Sequence, residues 1–342
     1  LKFEQNTGVT MKSLIQELVE ITGPSGYESG VRDVIRAKVE PLADEVYVDA
    51  LGNLIAAKGE VKPGGKKIML AAHMDEIGII ATHIDELGFI RFTTIGGVRR
   101  QTCVGGRVRF LNGTQGVISY ENLGDVNKLP KFNQMYIDVG AASREECPVR
   151  VGDVAAFDRP FASYGDRLVS KAMDDRIGVA VLLETLRLLR KSPNQVYFVF
   201  SVQEEVGLRG ATTAAYGLDP DVGIAVDVTR SGDTPKGIKM EVSLGAGPAV
   251  KVRDSGMLSD PRVVSWMVDT AEKQKLPYQM EVLEGGTTDA RAIQLTRAGV
   301  PAGCISIPCR YVHAPSEMVD YNDVQNAVQL LLALLKNDVK LD

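Results

Sequence analysis

The chain has 342 residues, 44% hydrophobic and 24% charged, with 39 Lys and Arg against 44 Asp and Glu for a net charge of −5. That length buries ample core in one large domain or two, and without a basic block nucleic-acid binding has no electrostatic support. The longest apolar runs, 179–183 and 330–335, fall far short of a membrane span.

No basic segment followed by an apolar one opens the chain, so secretion has no support. Cys103, Cys147, Cys304 and Cys309 show no CxxC spacing; they read as buried thiols, which predicts a reducing, cytoplasmic setting. Residues 1–10 are polar and patternless, and are read as an upstream extension or a cloning remnant without a role in the fold.

Met11 opens a helix in which Leu14, Ile15 and Leu18 share one face. Thr22-Gly23-Pro24-Ser25-Gly26 breaks it, and residues 28–39 resume helical spacing until Pro41. Residues 45–49 alternate as a strand, and Gly52-Asn53 turns into residues 54–57. Pro63-Gly64-Gly65 precedes 68–72, a continuous apolar run suited to a central strand.

After Glu76 the texture changes. Short alternating runs at 88–93, 107–111, 116–120 and 135–139, with Gly pairs at 96–97 and 105–106, predict a small β-barrel or sandwich inserted into an α/β domain. The α/β rhythm returns at Leu168: a helix over 177–189, apolar strands over 195–202, 222–228 and 304–307, and helices over 261–274 and 320–335. Asp260 caps the first of these two helices, with Pro261 at its first position. Residues 11–75 and 165–342 are thus assigned to a mixed-sheet α/β catalytic domain, and 76–164 to the β-rich insertion.

Five polar clusters follow strand-like runs, where open α/β sheets bind ligands. His73 and Asp75 end the first buried run and point the same way in extended backbone. They suit a metal ligand and the acid that orients it; the bland alternative is a loop His satisfied by a carbonyl. Asp174-Asp175 precedes the 177–189 helix. Capping by the helix N-terminus accounts for one acid better than for two, and a carboxylate bridging two ions is the sharper reading.

Glu204-Glu205 directly follows a buried strand, where adjacent carboxylates repel unless cations neutralise them. One would ligate a metal while the other takes a proton from activated water. Asp227 is a lone charge in an apolar run, costly to bury unpaired. His313 follows the last strand, and the third histidine, His83, sits in the insertion and reads as structural. His73 with Asp227 on one ion, Glu205 with His313 on the other, and Asp174 between them meets the ligand count of a two-metal site. Nitrogen and oxygen donors without thiolate suit zinc, cobalt or manganese.

From Met11 onward the chain resembles the tetrahedral aminopeptidases, the glutamyl and deblocking group of dinuclear metallopeptidases. The motifs Thr22-Gly23-Pro24-Ser25-Gly26-Tyr27-Glu28, Ala72-His73-Met74-Asp75-Glu76, Lys171-Ala172-Met173-Asp174-Asp175-Arg176 and Arg310-Tyr311-Val312-His313 carry the resemblance. It implies that His73, Asp174, Glu205, Asp227 and His313 hold two divalent ions, with Glu204 as general base and Asp75 orienting His73. It implies a cis peptide between Asp174 and Asp175, a dimerisation role for the insertion, and dimers that build a tetrahedral dodecamer. Gly285-Gly286-Thr287-Thr288-Asp289 resembles the Gly-rich loop beside the substrate, with Thr287 in place of a further Gly.

The expected activity is release of N-terminal residues from short peptides by water activated on two metals. A dinuclear carboxypeptidase or amide deacylase would need the same ligands, and N-acetylated and C-amidated peptides separate these. A glycosidase would use a carboxylate pair such as Glu204 and Asp75, yet would not need five metal-type ligands. A non-enzymatic shell protein has no use for the base.

Overall fold

The structure is a computed structural model that describes residues 10–125 and 127–341. The reading of residues 1–10 as an extension therefore lies outside the described residues except at Thr10. That residue is part of the fold: its hydroxyl caps the helix Met11–Glu20 by accepting from Ser13 N.

The expected mixed α/β architecture with an all-β insertion is what forms. The main sheet runs Glu45–Val48, Leu54–Lys58, Gln195–Ser201, Lys67–His73, Val222–Arg230, Ala302–Arg310, Glu317–Asp320, Arg167–Ser170 and Ala162–Tyr164, with Ala249–Arg253 and Gln279–Val282 branching from the Ala302–Arg310 strand. Its four central strands, from Gln195–Ser201 to Ala302–Arg310, are mutually parallel. They are buried along almost their whole length, as the continuous apolar runs require.

Period-two alternation divides their side chains between two layers. Ile68, Leu70, Phe198, Phe200, Ile224 and Val226 face the larger core, closed by the helices Met173–Leu188 and Tyr321–Leu335. Met69, Ala71 and Val199 face the opposite layer, against Ala214, Ala215 and Leu218 of the helix Arg209–Leu218 and Ile293 of Asp289–Gln294. The sheet is therefore covered on both faces, and its strand ends are the open ground.

Six antiparallel strands between Gly78 and Phe157 close into a barrel around its own core, which includes Ile79, Ile90, Val108, Phe110, Ile118 and Ile137. The next strand, Ala162–Tyr164, already pairs with Arg167–Ser170 in the main sheet. Of the described helices, none is long and apolar enough to cross a membrane.

Candidate metal centre

Parallel strands bring the chemistry to one edge. His73 is the last residue of Lys67–His73 and pairs with Ser201, so the neighbouring strand delivers Glu204 and Glu205 a few residues on. Asp227 lies within Val222–Arg230 rather than at its end, because that strand runs two residues past the predicted stop at 228. His313 follows Ala302–Arg310 with φ of +63°. Asp174 and Asp175 occupy the start of Met173–Leu188 in non-helical conformations, and the peptide bond between them is cis.

All seven residues singled out in the sequence converge. Asp174 is the hinge of the group: its Oδ1 lies 3.1 Å from His73 Nε2 and its Oδ2 3.4 Å from His313 Nε2. Glu205 Oε2 is 3.2 Å from His313 Nε2, and Asp227 Oδ1 and Glu204 Oε2 are each 3.9 Å from His73 Nε2. Asp75 sits behind, fully buried. Its carboxylate accepts from Glu204 N at 3.0 Å, Glu205 N at 3.2 Å and Ser25 Oγ at 2.5 Å, and lies 3.5 Å from His73 Nδ1. The ring's nearer partner at Nδ1 is the Asp75 backbone carbonyl, at 3.1 Å. His83 stands exposed on a barrel strand, apart from the cluster.

The two adjacent acids divide their work. Asp175 accepts Gly178 N at 3.0 Å and His73 N at 3.3 Å, so it caps the helix and pins the strand end. Gly178 is required by close approach: a Cβ there would meet both Asp175 oxygens and the Val226 carbonyl. The capping explanation thus belongs to Asp175, and Asp174 is left free to face the imidazoles.

Residues not singled out as site groups frame these. Glu317 is 2% exposed and receives Asp174 N at 2.9 Å and His313 N at 2.7 Å, tying two opposite sides of the site together. Its only sequence signal is an acid four residues past His313 in a short alternating run. Arg176, fully buried, donates to the carbonyls of Met74, Leu18, Ile21 and Gly23. Glu28 accepts Gly26 N and Gln203 N, so the 22–28 segment braces both catalytic-side strand ends. The barrel also reaches the site, where a Cβ on Gly97 would overlap the His313 ring. Gly97→Ala is expected to displace that ring and lower divalent-ion affinity about 10–100-fold, measured by titration calorimetry. Unchanged affinity would show that the barrel does not support the site.

The electrostatics ask for cations. Burial, and then mutual repulsion, hold the carboxyls of Glu204, Glu205, Asp227 and Asp175 above their ordinary pKa range. Burial opposes a charged His313, yet Asp174 and Glu205 push its pKa up to about 11. Glu205 Oε1 is buried without a hydrogen-bond partner. Such acids are satisfied when positive ions join them. Two overlapping groups have ligand atoms within 4.8 Å of one another, His73–Asp174–Glu205 and His73–Asp175–Asp227. The residues present therefore fit divalent metal.

Residues 52–330 match the M42 glutamyl aminopeptidase family. A putative aminopeptidase of Acetivibrio thermocellus is 48% identical over 324 residues, covering 94% of this chain and 97% of the relative. An aminopeptidase from the archaeon Desulfurococcus kamchatkensis superposes with a TM-score of 0.93 at 43% identity, covering 96% of this chain and 95% of that one. The TET1 peptidase of Pyrococcus horikoshii, which can assemble into a tetrahedron or a large octahedral shell, superposes with a TM-score of 0.84 at 31% identity, covering 95% of this chain and 99% of that one. Family match, fold and acid-imidazole cluster agree: this chain belongs to the M42 glutamyl aminopeptidase family and is a metal-dependent aminopeptidase.

Proposed function

We propose that the chain holds two divalent ions and removes N-terminal residues from short peptides. The observation that carries this is Asp174, with one oxygen turned to each of two imidazoles. His73 and Asp227 would hold one ion, Glu205 and His313 the other, with Asp174 shared. Asp175 is the weaker candidate because backbone N–H groups already engage both its oxygens. Zinc or cobalt fits this donor set best, and manganese is a third choice.

When bound, the ions would supply Lewis acidity to the scissile carbonyl and make a water easier to deprotonate. Glu204, whose Oε2 lies 3.9 Å from His73 Nε2, would take the water's proton and return it to the leaving amine. Asp75 fixes the backbone of Glu204 and Glu205 and stands behind His73.

Aminoacyl chromogenic amides, run with zinc, cobalt and manganese and with N-acetylated and C-amidated peptides, test this reading. Free-amine substrates are expected to turn over and N-acetylated ones to fail. Turnover of the acetylated peptide alone would favour the deacylase alternative, and a need for a free C-terminus the carboxypeptidase.

The barrel leaves Leu87, Leu111, Val117 and Val151 exposed, apolar surface that a second copy would cover. With the shells formed by the Pyrococcus horikoshii relative, this supports 76–164 as a dimerisation domain and dimers that build a dodecamer. Light scattering is expected to give about twelve times the 37.0 kDa chain mass; a monomer mass would refute both statements. The four cysteines are free, which fits a cytoplasmic location.

A further inference from the structure

The cleft that opens on the metal centre has a volume of about 330 Å³, and its lining includes groups the chemistry above does not use. Lys251, part of its lining, is the register partner of Glu281 on the paired strands Ala249–Arg253 and Gln279–Val282. Their side chains are 1% and 0% exposed. Lys251 Nζ donates to Glu281 Oε1 at 2.5 Å, and Thr229 Oγ1 donates to the same oxygen at 2.7 Å. Glu281 Oε2 is buried without a partner. A buried pair of this kind is a weak source of stability, so its position at the cleft calls for another explanation.

A floor of one sign would select a side chain of the other sign. Here the two charges cancel. An incoming carboxylate meets Lys251, whose charge is already balanced by Glu281 buried outside the lining, and an incoming ammonium meets the positive Lys251 before Glu281. Neither gains a net field to replace the water it gives up. The cleft walls include Leu208, Val228, Leu283 and Val312. Arg230 and Arg291 also line it, but both are exposed, where solvent and salt screen them.

We propose that the Lys251–Glu281 pair sets the side-chain preference of the cleft, admitting an uncharged apolar N-terminal residue and turning away acidic and basic ones. The inference rests on the aminopeptidase reading, since the cleft then receives the side chain of the residue to be released.

The test is kcat/KM of the metal-loaded full chain on Leu, Met, Glu and Lys p-nitroanilides. Leu or Met is expected to lead Glu and Lys by tenfold or more. Glu281→Gln leaves Lys251 unopposed and is expected to raise the Glu-to-Leu ratio at least tenfold. Lys251→Met leaves Glu281 unopposed and should raise the Lys-to-Leu ratio by a similar factor. The double variant Lys251→Met/Glu281→Gln buries no charge and should restore the original order, so it carries the test if a single variant fails to fold. A wild-type preference for Glu would assign selection to Arg230 and Arg291 and overturn the proposal, as would a preference for Lys, ratios unmoved in the single variants, or a double variant that prefers a charged residue. Inertness of the wild type toward every substrate would overturn the aminopeptidase reading itself, and this inference with it.

Discussion

Replacing Glu204 by glutamine is expected to lower kcat by about 10²–10⁴-fold while KM and metal content stay near their wild-type values. The substitution keeps the shape of the side chain and removes only its capacity to accept a proton. Its backbone would still be held by Asp75 through Glu204 N at 3.0 Å. The proposed ligand groups of His73, Asp174, Glu205, Asp227 and His313 are untouched. A fall in kcat with little change in KM is the signature of an interaction made in the transition state. The same variant should melt no lower than wild type after chelation, because burial and repulsion from Asp227, Asp289 and Glu205 disfavour an ionised Glu204 in the metal-free fold. Wild-type turnover in Glu204→Gln would remove this residue from proton transfer and leave the metals without a base among the acids named here.

The sequence was most legible where one physical signal dominated. Residues 68–72, 195–202 and 222–228 are continuous apolar runs, and all became central strands buried on both faces. The strands Ala249–Arg253 and Gln279–Val282 leave no such signal, because each carries a charge inward: Lys251 donates to Glu281 across the pairing, and neither looks like core when read alone. The helices Arg209–Leu218 and Asp289–Gln294 are equally faint in the sequence. The first is rich in small residues whose apolar face is narrow, and the second is only six residues long.

At the site, donor chemistry at strand ends was legible and the support behind it was not. Asp174 and Asp175 are indistinguishable by type and spacing; only the non-helical backbone at both positions sends one toward the imidazoles and the other toward Gly178 N. Thr22-Gly23-Pro24-Ser25-Gly26 reads locally as a helix breaker. Its structural use, a Ser25 hydroxyl on Asp75, spans fifty positions of sequence separation. Glu317 and Gly97 matter through what they touch, the backbone of Asp174 and His313 and the ring of His313. No local pattern encodes such contacts.

The division between Asp174 and Asp175 makes the second large effect predictable. Asp174→Ala is expected to reduce bound metal from two ions per chain to fewer than one, measured by elemental analysis after dialysis. Each proposed ion would lose one of three protein ligands, and the two would lose the group they share. Metal-dependent thermal stabilisation should disappear with them, a contribution of about 2.7 kcal/mol for each site held at a hundredfold excess over its Kd. The backbone need not collapse, since Asp174 N remains held by Glu317 at 2.9 Å. Asp175→Asn should do the reverse. It weakens the acceptors for Gly178 N and His73 N, so the melting temperature of the chelated protein falls while metal stoichiometry is largely kept. Crossed results, with two ions retained in Asp174→Ala and lost in Asp175→Asn, would transfer the shared position to Asp175, whose Oδ atoms lie within ligand range of His73 and Asp227. The same chelation experiment therefore decides which of two adjacent and chemically identical residues joins the ions.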